Sequence, residues 1–175
     1  MPAKRKATLM LGIAAVVVLA AIAAMWRTNS NPPQRQAQRV LVLKREHRLL
    51  LLDREGLIKA YKISIGRGGL GPKQREGDHK TPEALYKIDR RKRDSRFHRA
   101  LHVSYPNEAD LQHAQSLGVA PGGDIMIHGI MNGMGWLGRL QRLADWTDGC
   151  IAATDSEIEE IWSAVPDGTP IEIRQ

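Results

Sequence analysis

The sequence predicts a mainly β domain with a few short helices, set behind an apolar N-terminal segment and a polar linker. Three observations lead there. Short apolar runs separated by turn residues recur from Val40 onward, Leu57 to Ile65 alternates apolar with polar, and few stretches, all short, read as helix. At 175 residues the chain is long enough for one ordinary domain, and 42% hydrophobic with 26% charged residues is a globular composition. A single cysteine excludes a disulfide scaffold.

The elements follow in order. Val40 to Leu43 and Leu49 to Leu52 are short strands, Asp53 to Gly56 is a turn, and Leu57 to Ile65 completes an antiparallel meander. Gly66 to Pro72 is glycine-rich and leads through a hydrophilic loop to His79-Lys80. This stretch matches a dinucleotide fingerprint as text, but Pro72 and a polar loop stand where that motif needs a helix, so it reads as a flexible rim loop. Thr81-Pro82 precedes a short strand at Ala84 to Ile88, Arg90 to Arg99 reads as basic and irregular, and Ala100 to Tyr105 as a strand. Glu108 to Leu117 is a short helix stopped by Gly118, and Asp124 to Ile127 is a strand that abuts His128. Ile130 to Thr147 reads as a capping loop with a short helix at Gly138 to Ala144. Thr154 to Glu157 is a capping box opening a helix at Ile158 to Val165, Pro166 to Thr169 is a turn, and Pro170 to Ile173 a closing strand.

Charge and hydropathy divide the chain. Residues 1 to 39 hold six basic side chains and no acid, while the remainder holds 20 basic and 19 acidic ones. The high isoelectric point therefore belongs to the N-terminus, and the nearly neutral body shows no basic stripe with interleaved aromatics, which excludes nucleic acid as the expected partner. Ala7 to Trp26 is 20 residues without a charge, preceded by Lys4, Arg5 and Lys6. As a helix it would be about 30 Å long, enough to cross a bilayer core. The basic flank 1–6 should stay cytoplasmic and the rest be exported. A cleavable signal is the rival, since Ala21-Ile22-Ala23 offers a small-residue site; the length of the run favours an anchor. Residues 27–38 are the linker, and 39–175 the working domain.

The chemistry gathers around Cys150 and His128. A thiolate attacks and an imidazole takes its proton, so a lone cysteine with a histidine elsewhere is a nucleophile and base candidate, although a lone cysteine is also commonly a small buried apolar residue. Gly149 before Cys150 permits close backbone approach, and consecutive amides there are suited to an oxyanion hole.

His128-Gly129, a lid, then Thr147-Asp148-Gly149-Cys150 resembles the L,D-transpeptidase catalytic domain, the YkuD or ErfK/YbiS/YcfS/YnhG family. Asp124 to Gly129, Asp145 to Ala152 and Val165 to Ile173 look most like its YafK-type branch in Gram-negative bacteria. The resemblance covers residues 39 to 175 and implies a β-sandwich or barrel-like fold. It implies that Cys150 attacks a peptidoglycan stem peptide between diaminopimelate and D-alanine to form a thioester. His128 is then the base, the Gly129 carbonyl orients it, and the Gly149 and Cys150 amides bind the oxyanion. Thr147, Asp148 and Trp146 are substrate-contact candidates beside the cysteine.

Departures from the family pattern are Ala152, where Arg or Asn is common, Asp148 in place of a histidine, and Ala84 where Thr-Pro-x-Gly ends. Arg139 and Arg142 of the lid are candidates for the missing carboxylate contact, or a solvated helix face. Trp136 and Trp146 line the cleft or pack beneath the lid. Arg90 to Arg93 reads as a solvated face, with an anionic wall polymer or membrane as the other partner. His98 and His102 lie on a predicted strand with no acid between them, so no metal is expected, and no cofactor. The rival functions are a hydrolase on the same scaffold, including release of a peptidoglycan-linked lipoprotein, and a catalytically silent wall-binding module. The expected location is the inner membrane with a periplasmic domain, or the free periplasm after cleavage.

Overall fold

The structure is a computed structural model that describes residues 35–175. The segment 7–26, its basic flank and most of the linker lie outside the described residues, and no helix among the described residues is long and apolar enough to cross a membrane. Linker residues 35–38 join the folded body: Ala37 is buried and its N–H donates to the Ala164 carbonyl at 2.7 Å.

The meander forms as the alternation demands. β1 (Arg39–Leu43), β2 (Arg48–Asp53) and β3 (Gly56–Lys62) are antiparallel, and the register sets Val40 against Leu51 and Val42 against Leu49, all four fully buried. Burying each such side chain contributes about 1.5–3 kcal/mol. β4 is longer than expected, Ala84–Ser95, and absorbs most of the basic stretch. Its first half pairs with the closing strand and its second half with β5 (His98–Val103), around a turn at Arg96-Phe97. Basic side chains obscure the strand in sequence because consecutive ones, Lys92 and Arg93 among them, are exposed, which breaks the alternation a half-buried strand shows.

Helix α1 (Glu108–Ser116) is capped by Asn107, whose side chain accepts the Asp110 N–H, and Gly118 follows it at φ +67°. β6 is Met126–His128, so His128 is inside the strand rather than after it. β7, only Ile151–Ala152, pairs with β6 in parallel, and the sequence reading contained no strand there. Helix α2 (Asp155–Ala164) opens with the expected capping box of Thr154 and Glu157 and buries Ile158 and Ile161. β8 (Pro170–Arg174) enters between β1 and β4, parallel to β1.

The strand order is β3-β2-β1-β8-β4-β5-β6-β7. Its two edges meet: Ser64, just beyond β3, donates to the Ala152 carbonyl at 2.9 Å and accepts from the Ala152 N–H at 2.8 Å. The mainly β sheet thus curls back on itself, and a β7 of two residues matters because it bridges β6 to that closing pair.

Candidate active site

His128 and the cysteine loop meet through this short parallel pair. The register places Ile127 beside Ile151, both fully buried, and His128 beside Ala152. Cys150 is the residue immediately before β7. His128 is 4% exposed, with the Phe97 ring 4.5 Å from its own and Trp146 edge-on at 5.7 Å. Its Nδ1 is 2.7 Å from the Gly129 carbonyl, which only accepts, so Nδ1 carries the hydrogen and Nε2 keeps its lone pair. Burial holds His128 below the usual imidazole range, partly opposed by that hydrogen bond.

The turn before Cys150 is tied by Thr147. Its buried hydroxyl donates to the Cys150 carbonyl at 2.7 Å and accepts the Gly149 N–H at 3.2 Å. The expected pair of oxyanion donors is therefore not assembled, because the Gly149 amide is engaged within the turn. Gly149 has φ +127°, and a Cβ there would lie 2.8 Å from the Lys80 carbonyl oxygen, so glycine is required twice over. Cys150 is half-buried, and its thiol donates to the Asp124 carbonyl across 3.5 Å. Burial pushes this thiol up to about 11, with Asp148 and Asp124 adding to the rise. Both shifts have burial as their first cause and favour the neutral thiol and the neutral imidazole.

Asp155 holds the His-Gly corner. One carboxylate oxygen accepts the Ile130 N–H at 2.8 Å, and the carboxylate fills the space a side chain at Gly129 or Gly135 would need. Neither Asp155 nor Phe97 emerges from the sequence reading; their only signals are position at a helix start and being the chain's sole phenylalanine.

The start of the glycine-rich stretch is packed rather than loose, which corrects the rim-loop expectation at Gly66 and Gly68, while Gly69, Leu70 and Pro72 are exposed as a rim loop would be. A Cβ at Gly66 would meet the His79 carbonyl oxygen at 2.2 Å, Gly66 N–H donates to the buried Thr81 hydroxyl at 2.9 Å, and Arg67 N–H donates to the Thr147 carbonyl at 2.9 Å. Fully buried Lys44 fastens the same region, donating to the Gly71 and Thr81 carbonyls and to Glu83 within 2.6–2.8 Å.

Asp148 is exposed and lies between Arg67 and His79. Arg142 does not face a ligand; its guanidinium is paired with Glu157 at the start of α2, because the capping carboxylate lies within its reach. Arg139 is exposed on the lid. That lid is a 3-10 segment, Gly135–Leu143, kinked at Gly138. Trp146 packs against Phe97 and His128 while its Nε1–H donates to Gln141 at 2.8 Å, whereas Trp136 is 76% exposed. Beneath the lid a cavity of about 360 Å³ is lined mainly by apolar side chains, among them Ile130, Met134, Leu137 and Trp146. His98 pairs with Glu159 and His102 with Asp89, and no group of three or more potential metal ligands occurs among the described residues.

The curled β sheet thus sets a histidine whose tautomer is fixed by a neighbouring carbonyl on β6, and a cysteine immediately before the adjoining strand β7. The YkuD family profile, the L,D-transpeptidase catalytic domain, matches residues 37–173, and the chain belongs to that family. It is 35% identical over 132 residues to the L,D-transpeptidase-like protein YafK of Escherichia coli K12, covering 72% of this chain and 46% of that one. The helical cell shape determining protein Pgp2 of Campylobacter jejuni superimposes with a TM-score of 0.61 at 25% identity, over 78% of this chain and 48% of that one. An L,D-transpeptidase of Mycobacterium smegmatis shares the fold at a TM-score of 0.52 and 15% identity, over 78% and 58%. The chain thus spans about half the length of the curated relatives it matches.

Proposed function

We propose that this chain is a cysteine-dependent L,D-transpeptidase acting on peptidoglycan stem peptides through a thioester acyl-enzyme. The observation that carries the reading is the Nδ1–H···O=C bond from His128 to Gly129, which leaves Nε2 as a proton acceptor on the strand that adjoins the Cys150 loop. With the thiol held protonated by burial, attack needs a base, and a buried neutral imidazole is suited to that task.

In the proposed reaction Sγ of Cys150 attacks the diaminopimelate carbonyl as its proton passes to His128 Nε2. The C–N bond to D-alanine breaks, and His128 returns the proton to the leaving amine. An amine acceptor then displaces the thiolate from the thioester, forming a new amide and restoring the thiol through His128. The Cys150 N–H is the oxyanion donor, and release of Gly149 N–H from Thr147 would complete the pair. Thr147 acts by shaping the turn, and Trp146 by covering the imidazole.

Membership of the L,D-transpeptidase family and the likeness to Pgp2, a protein named for helical cell shape, support a role in wall remodelling. The proposed setting is an inner-membrane anchor at residues 7–26 with the catalytic domain in the periplasm. A reporter fused after Gln175 is then active only in the periplasm, and cytoplasmic activity would refute the topology.

The deciding experiment incubates the full chain with tetrapeptide muropeptides and, separately, with lipoprotein-linked muropeptides, using Cys150→Ala as control and mass spectrometry as readout. Cross-linked dimers that have lost D-alanine establish transpeptidation. Shortened or released products without a new amide bond make the enzyme a hydrolase with the same thiol. Products from neither substrate leave a wall-binding module and refute the catalytic reading.

A further inference from the structure

Asp148 stands two residues before Cys150 with a side chain 74% exposed, yet it is held. Arg67 Nη2 and His79 Nδ1 both lie 2.9 Å from its Oδ1. The His79 contact lacks hydrogen-bond geometry: Nδ1 is a buried atom with no hydrogen-bond partner, although a carboxylate oxygen is beside it. Such an atom costs stability unless something satisfies it. Arg67 Nη2 also reaches His79 Nε2 at 3.4 Å, so the two side chains form one small group of donors around a poorly fitted carboxylate.

The backbone beneath these donors is rigid. His79 sits at φ +54°, a left-handed conformation unusual outside glycine, with its carbonyl accepting the Gly68 N–H at 2.9 Å. Gly66 and Gly68 have no room for a Cβ against residues 78–79, and the Arg67 N–H is bonded to Thr147. The backbone that carries both donors is therefore fixed relative to the cysteine loop, while the Asp148 side chain between them is 74% exposed and has solvent beside it to move into. Of the other groups expected to meet a substrate carboxylate, Arg139 is exposed on the lid and two are already engaged or absent. Arg142 is paired with Glu157, and position 152 is a fully buried alanine in β7.

We propose that Arg67 and His79 are the carboxylate subsite of the cleft, that Asp148 occupies it as a placeholder in the free protein, and that the ligand is an acidic peptide whose carboxylate displaces Asp148. This rests on the stem-peptide reading above and deepens it. The carboxylate has two sources, the D-alanine terminus or the free carboxyl of diaminopimelate, both flanking the bond that Cys150 would attack. Displacement moves a negative charge out of the turn before Cys150 and replaces it with one delivered by the substrate, so a peptide without that carboxylate loses the contact.

The test measures binding to the full chain carrying Cys150→Ala, by titration calorimetry, with three tetrapeptide stems: unmodified, amidated at the D-alanine terminus, and amidated at diaminopimelate. Arg67→Gln should weaken the unmodified peptide about tenfold or more, the size expected for one charge-assisted hydrogen bond, and Arg67→Lys should recover part of that. One amidated peptide should bind weakly from the start and ignore Arg67→Gln, which identifies the carboxylate. Asp148→Asn should tighten the unmodified peptide by removing its competitor. Equal weakening of all three peptides by Arg67→Gln, or no change in any, overturns the subsite, and weaker binding to Asp148→Asn overturns the placeholder role. Binding of no stem peptide at all overturns the proposed function and this inference together, whereas binding that ignores Arg67 overturns the inference alone.

Discussion

Alkylation of Cys150 by iodoacetamide across pH reads the charge state of the site directly. An ordinary thiol of this kind titrates at 9.0, and burial at the β6–β7 loop pushes Cys150 up to about 11. Two units correspond to about a hundredfold less thiolate at neutral pH, roughly one molecule in ten thousand. The expected profile rises about tenfold per pH unit from 7 to 10 and bends near 11, since only the thiolate reacts. Intact-mass measurement after timed quenching gives the rate, and circular dichroism at each pH confines the data to folded protein. The bend, rather than the absolute rate, is the reading, because restricted access slows alkylation at every pH alike. Asp148→Asn should lower the bend only slightly, burial being the larger cause. A plateau already reached at pH 8 would refute the reasoning, for it would mean a thiolate-imidazolium pair and a site with no need of His128 as base.

Three further outcomes follow from the packing. Gly66→Ala should abolish soluble folded protein or activity, since its Cβ would meet the His79 carbonyl oxygen at 2.2 Å; a variant with unchanged melting temperature and activity contradicts the tight loop packing. Thr154→Ala removes the cap of α2 and should cost about 1 kcal/mol in urea unfolding; a change under a few tenths would show the cap to be redundant. His128 has a folded value below its ordinary 6.5, so the unfolded chain binds the proton more readily. Its contribution is present above about pH 6.5 and lost as pH falls through the lowered folded value. Wild-type stability should therefore fall more steeply below pH 6.5 than that of His128→Gln, and equal slopes would show that His128 does not titrate on unfolding.

The parts of the fold legible in sequence were those with local causes. The meander is written in alternation, since Val40, Val42, Leu49 and Leu51 point one way by the period of the strand, and α2 is written in Thr154 and Glu157. The parallel pairings of β1 with β8 and β6 with β7 were not legible, because their partners are held together by the whole chain between them and no short-range signal records it. The second half of β4 was hidden for a different reason: Arg90 to Arg93 lack strand propensity, and only the partner β5 makes the extended conformation favourable there.

At the site, the residues proposed to carry the chemistry were conspicuous in sequence and their supports were not. His128, Gly129, Gly149 and Cys150 stand in a spacing that the resemblance makes conspicuous. What holds them, the Phe97 ring over the imidazole, the Asp155 carboxylate under Gly129 and the Thr147 hydroxyl across the turn, depends on distances between segments far apart in the chain or on one rotamer. The same limit explains the arginines. Arg139 and Arg142 are the nearby lid cations in sequence where Ala152 leaves a carboxylate contact open, yet Arg142 meets Glu157 once α2 is packed. Arg67, eighty-three positions before Cys150, is brought to the loop by the bridge between Gly66 and Thr147. The nearness of Arg67 to the cysteine loop is a property of the closed sheet, and becomes readable only when the edges of that sheet have met.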